Sequence, residues 1–78
     1  MLISVKSNRI PPPNPQTVFG LAVQRIRKEK QMTQEELANI ADVSPSYLSA
    51  VERGVKNVTI STIDRLATAL GVSKRDLF

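Results

Sequence analysis

The side chains able to do chemistry in this 78-residue sequence are few, because it contains no cysteine, no histidine and no tryptophan. That excludes a disulfide framework and any thiolate or imidazole metal site. It also leaves nucleophilic or general-base work to scattered carboxylates and the single tyrosine, Tyr47. The expectation is a non-enzyme with no cofactor and no metal. What remains is hydrogen bonding and charge, and it is crowded into one stretch: Gln34, Ser44, Ser46, Tyr47, Ser49, Arg53, Lys56 and Asn57. Amides, hydroxyls and cations of this kind donate to oxygen acceptors. With 11 Lys and Arg against 7 Asp and Glu, a net charge of +4, the chain suits an anionic partner.

These residues need elements to hold them, and the local signals are strong between positions 33 and 54. Thr33 with Glu36 forms a capping box, so a helix starts at Gln34, buries Leu37, Ala38 and Ala41, and stops near Asp42. Ser44 followed by Pro45 opens a second helix, along which Leu48 and Val51 face inward until Gly54 ends it. Two helices joined by so short a turn pack at a steep angle and expose the first residues of the second one.

In chain order, residues 1–16 read as an extended arm, since Pro11, Pro12, Pro13 and Pro15 exclude a continuous helix. The first expectation is a tail without a role; otherwise Leu2, Ile3, Val5 and Ile10 suit a short strand there, and Lys6 with Arg9 an anionic partner. Residues 17–78 form the domain. Its first helix runs over about 17–30 with Phe19, Ala22, Val23 and Ile26 on the core side and Arg25, Lys28 and Lys30 opposite; Gly20 within it marks close packing. After a loop at 55–58, Thr59 caps a further helix with an apolar stripe of Ile60, Ile63, Ala67 and Leu70, with Leu66 beside it, closed by Gly71. Ser73 and Asp76 cap a last turn ending in Leu77 and Phe78. That makes five helices, no strand in the domain and no internal repeat. No apolar run is long enough to cross a bilayer and no signal-peptide order is present, so a cytoplasmic location is expected.

Three runs, MTQEELA at 32–38, SPSYLS at 44–49 and ERG at 52–54, resemble the helix-turn-helix of the Xre and phage-repressor family. With NVTI at 57–60 and LATAL at 66–70, the chain is similar in particular to the small controller proteins of restriction–modification systems. The resemblance covers about 17–78 and implies an all-α, compact five-helix lambda-repressor-like domain. It further implies a sequence-specific transcriptional regulator that binds double-stranded DNA, on a (pseudo)palindromic operator, as a homodimer.

On this resemblance the exposed start of the second helix, with Pro45, Ser46, Ser49 and Ala50 just past the cap Ser44, faces the bases, and Tyr47 at its flank either meets a phosphate or covers the helix pair. Gln34 meets backbone phosphate at a helix N-terminus, while Arg53, Lys56 and Asn57 follow on the side where the strand passes. The family places an ion pair at the positions of Arg27 and Glu52, so these two are structural. Members often carry glutamine or arginine at the first reading positions. This helix has short serines instead, which shifts weight toward DNA shape and deformability. Leu77 and Phe78, large and apolar at the end of a small domain, are expected in the dimer interface. Two rival readings use the same residues: an antitoxin that also holds a toxin protein, with the arm as a route to it, and a protein-interaction module that docks through the helix pair.

Overall fold

A computed structural model describes residues 14–78, which form four α-helices and a short 3-10 turn. They are α1 (Pro15–Glu29), α2 (Gln34–Ala41), α3 (Pro45–Glu52) and α4 (Ile60–Leu70), followed by the 3-10 turn Lys74–Leu77. There is no strand among the described residues. The fifth helix expected from sequence is this single 3-10 turn, in which Ser73 donates from its amide to Asp76 Oδ2 at 3.0 Å.

Local chemistry sets most boundaries. Thr33 Oγ1 accepts from the Glu36 amide at 3.0 Å, and Glu36 Oε1 accepts from the Thr33 amide at 2.8 Å, which closes the capping box at the start of α2. Asp42 ends α2 in the left-handed conformation at φ 60°, and Gly71 does the same for α4 at φ 72°.

The first boundary differs from the sequence expectation. Helix α1 starts at Pro15 rather than near residue 17, because Asn14 Oδ1 accepts from the Thr17 amide at 2.8 Å and Pro15 occupies the first helical position, where its missing N–H costs nothing. Asn14 is therefore the cap, and Pro15 and Gln16 the first residues, of α1. The expected strand of Leu2, Ile3, Val5 and Ile10, and the cations Lys6 and Arg9, lie outside the described residues.

The core is one cluster drawn from every element: Phe19, Val23 and Ile26 from α1, Leu37, Ala38 and Ala41 from α2, Leu48 and Val51 from α3, Leu66, Ala67 and Leu70 from α4, and Leu77 from the 3-10 turn. Two placements correct the sequence reading. Ile60 is 72% exposed, because the buried side of α4 passes through Thr62, Leu66 and Leu70, and at about 100° per residue Ile60 stands nearly opposite Thr62. Leu77 is fully buried within the chain, so it is not available to a dimer interface. Its neighbour Phe78 remains exposed and lays its ring on Phe19, with centroids 5.4 Å apart and planes 27° apart.

Gly20 is a packing requirement. A Cβ there would lie 2.2 Å from the Val51 carbonyl oxygen and 2.9 Å from that of Glu52, so only glycine lets α1 approach α3 this closely.

Candidate nucleic-acid interface

Helices α2 and α3, joined by the turn at 42–44, form the unit that carries Gln34, Ser44, Pro45, Ser46, Tyr47 and Ser49, while Arg53, Lys56 and Asn57 follow it. The turn is fixed from both ends. Ser44 Oγ accepts from the Tyr47 amide at 3.0 Å, which starts α3, and Arg65 on α4 donates to the Asp42 carbonyl at 3.2 Å. Ser44 is exposed, yet its oxygen is engaged as this cap, which leaves its hydroxyl hydrogen for an outside acceptor.

Beyond the cap, Pro45 and Ser46 are exposed on the first turn of α3, and Ser49 is half-exposed one turn later. Tyr47 is half-buried against the core. Ala50 departs from the expectation: it is buried, because α3 lies between α1 and α2 and only a narrow strip of it reaches solvent. The outward surface of α3 is thus Pro45, Ser46 and Ser49, with the half-exposed Tyr47 at their flank as its one long side chain.

A buried network sets how α3 sits. Arg27 on α1 meets Glu52 in a two-pronged pair, Nε to Oε2 at 2.7 Å and Nη2 to Oε1 at 3.1 Å, and its Nη1 donates to the Met32 carbonyl at 2.7 Å. Glu52 Oε1 also accepts from Gln34 Nε2 at 2.9 Å. Three helices and the α1–α2 loop therefore share one ion pair, whose partners are 7% and 4% exposed. The half-buried side chain of Gln34 faces back onto Glu52, and the amides of Gln34 and Glu35, ahead of the capped Glu36 amide, are the first of α2 and have no partner within the helix.

Past α3 the loop brings the cations. Arg53, Lys56 and Asn57 are all exposed; Arg53 caps the end of α3, and Gly54 turns the chain at φ 76° between it and Lys56. Arg25, on the far side of α1, is paired with Glu29 at 3.3 Å. Lys56 and Arg53 make no salt bridge among the described residues.

Three participants were not read from the sequence. Gln16, assigned to the arm, donates from Nε2 to Asn57 Oδ1; the Asn14-Pro15 pair, a cap followed by proline, is the signal that would have placed it on a helix. Arg65 and the Met32 carbonyl act through tertiary proximity, which leaves no local pattern. Among the described residues no group of three or more Asp, Glu, His or Cys side chains is placed to hold a metal ion, and no helix is long and apolar enough to cross a membrane. The arrangement offers donors and positive charge along a protruding helix start, the chemistry that a duplex of phosphates and base edges accepts.

Comparison with known proteins agrees with this geometry. The control protein C.BamHI of Bacillus amyloliquefaciens is 42% identical over 65 residues, which covers 82% of this chain and 80% of that protein. The crystal structure of the restriction-modification controller protein C.AhdI from Aeromonas hydrophila superposes with a TM-score of 0.79 at 40% identity, covering 81% of this chain and 96% of that one. The clp gene regulator ClgR from Corynebacterium glutamicum superposes with a TM-score of 0.81 at 38% identity, covering 85% and 86%. The helix-turn-helix family model HTH_3 matches residues 23–77, from the middle of α1 to the end of the 3-10 turn, and the chain belongs to that family.

Proposed function

We propose that the protein is a sequence-specific DNA-binding transcriptional regulator, of the controller type, that binds a (pseudo)palindromic operator as a homodimer. The observation that carries this reading is the locked α2–turn–α3 unit, whose outward parts are the bare start of α3 and the exposed Arg53, Lys56 and Asn57 beside it. The start of α3 enters the major groove, with Ser46 and Ser49 toward base edges, while the N-terminus of α2 with Gln34, and Arg53, Lys56 and Asn57, take phosphates on either side. No reaction is assigned to it, since the interface holds amides, hydroxyls and cations and no paired base and nucleophile. The regulator works where its DNA is, in the cytoplasm. The named relatives are controllers and regulators, which favours this role over a toxin-binding one.

For the dimer, Phe78 is the C-terminal residue with a free apolar surface, and it borders a hollow shared with Val18, Leu21 and Ala22 of α1. A second copy seated there would cover Leu21 and Phe78, which are 56% and 62% exposed. The symmetric arrangement must place the two α3 helices about 34–36 Å apart to meet successive major-groove faces.

Selection of bound duplexes from a random pool tests the reading in one step. The expected product is a two-fold symmetric sequence with half-site centres about 10 base pairs apart. No enrichment at low salt would overturn DNA binding, and enrichment of a single asymmetric half-site would overturn the homodimer.

A further inference from the structure

The starts of α2 and α3 are built alike and end up chemically different. Each has a hydroxyl cap, Thr33 or Ser44, whose oxygen accepts from the third amide of its helix. In α2 this leaves the amides of Gln34 and Glu35 ahead of the capped one, two N–H groups with no partner in the helix. In α3 the first position is Pro45, which has no N–H, so of its first three positions only Ser46 keeps an N–H without a partner in the helix. The start of α2 suits a phosphate. The start of α3 has half the donors and carries an exposed pyrrolidine ring in place of the other.

That ring cannot swing aside. Its own closure fixes it to the backbone, and the backbone is held by the Arg27–Glu52 pair at the far end of α3 and by the Arg65 bond to the Asp42 carbonyl in the turn before it. Where the start of α3 enters a major groove, the ring loses its water and covers the base edge that stands opposite. Ring nitrogens, carbonyl oxygens and amino groups on such an edge would lose water without gaining a hydrogen bond, which is costly. One group that bases present in the major groove is apolar, the 5-methyl group of thymine.

We propose that Pro45 is a specificity-determining residue that reads the 5-methyl group of one thymine in each half-site, its ring fitting that methyl and disfavouring the polar edges of the other bases. This rests on the reading of the protein as a DNA-binding regulator, and it names what the first residue of α3 recognises. Ser46 and Ser49 supply hydroxyls that suit several bases, so the methyl contact adds a preference that they lack.

Exchange of thymine for deoxyuridine tests it, because the exchange deletes the methyl group and leaves every hydrogen-bonding group of the base pair in place. It is made one position at a time in the half-sites of a duplex that the wild-type protein selects from a random pool. Binding is measured for the wild type and for Pro45→Ala, in which alanine suits a helix and lacks the ring. At one thymine per half-site the exchange is expected to weaken wild-type binding roughly fourfold, the worth of one buried methyl group, and to leave Pro45→Ala unaffected. A selected sequence with no fixed thymine, a wild-type protein indifferent to every exchange, or equal losses in the two proteins would overturn the proposal.

Should Pro45→Ala fold poorly, the wild-type complex decides. Nuclear Overhauser contacts from the Pro45 ring protons to a thymine methyl group support the proposal, and a complex without them overturns it. Failure of the wild-type protein to select any duplex would sink the regulator reading itself, a result distinct from a selected duplex that is indifferent to the loss of its methyl groups.

Discussion

The inward and outward sides of α3 follow opposite plans. Inward, Leu48, Ala50, Val51 and Glu52 are all buried, and Glu52 alone accepts from Arg27 and Gln34 on two other helices. Outward, Pro45, Ser46 and Ser49 present two short hydroxyls, and the half-buried Tyr47 stands at their flank. One side has more constraints than it needs to hold the helix, and the other has fewer groups than are needed to read a base sequence strongly. The difference indicates that this protein invests in where the helix sits and leaves much of the discrimination to how well the DNA fits that fixed shape.

The largest break in this contrast comes from the inward side. Glu52→Ala leaves the Arg27 guanidinium in the interior with the Met32 carbonyl as its remaining acceptor and releases Gln34 as well. A loss of about 3–5 kcal/mol in urea unfolding is expected, the range for stripping one partner from a buried pair. The exposed pair Arg25–Glu29 supplies the control, since its side chains are 59% and 61% exposed and Glu29→Ala should cost about 0–1 kcal/mol. Equal losses in the two variants would show that burial is not what gives the inner pair its weight.

Next in size is Gly20→Ala. Alanine is the better helix former by about 1 kcal/mol, so at an open position it would stabilise α1. Here its methyl meets the Val51 and Glu52 carbonyls, and a net destabilisation of about 1–3 kcal/mol is expected from the forced separation of α1 and α3. Thermal melts give the sign directly. A more stable variant would mean that the two helices are not in the close contact described.

These two residues also mark what was legible in the sequence. Caps act within three residues, so Thr33–Glu36, Ser44–Pro45, Thr59 and Ser73–Asp76 could be read as local chemistry, and with them most helix limits. Gly20 announced close packing, although only the fold names Val51 and Glu52 as the neighbours. Exposure was harder to read. Ile60, Ala50 and Leu77 each have an apolar side chain that helical periodicity or chain position assigns to the wrong side, because burial depends on which helices lie over them. The arm boundary failed for a different reason: the proline run at 11–13 masked Asn14-Pro15, which uses the same residue type to begin a helix.

On the outward side the effects are smaller and differ in kind. Lys56 is exposed and makes no salt bridge among the described residues, and its proposed contact is a phosphate. Lys56→Ala should leave the melting temperature alone and weaken binding to operator and random duplexes alike. The slope of log affinity against log salt should shrink by about 0.9, the share of one neutralised phosphate. A loss confined to the operator would turn Lys56 into a base reader.

Ser46→Ala carries the smallest expected effect and tests the contrast most directly. Ser46 is exposed at the second position of α3, its proposed partner is a base edge, and serine can donate to or accept from several bases without a fixed preference. The expected loss on operator DNA is at the low end of about 1–3 kcal/mol, with relaxed preference at one base pair per half-site, unchanged affinity for random DNA and an unchanged salt slope. If direct reading by α3 is as sparse as its outward face implies, changes at central, uncontacted base pairs should cost as much as or more than removing Ser46, because they alter the energy of bending the duplex to fit a helix that cannot move. A loss from Ser46→Ala well above that range, with central base pairs indifferent, would reverse the comparison and make the short outward face the main source of specificity.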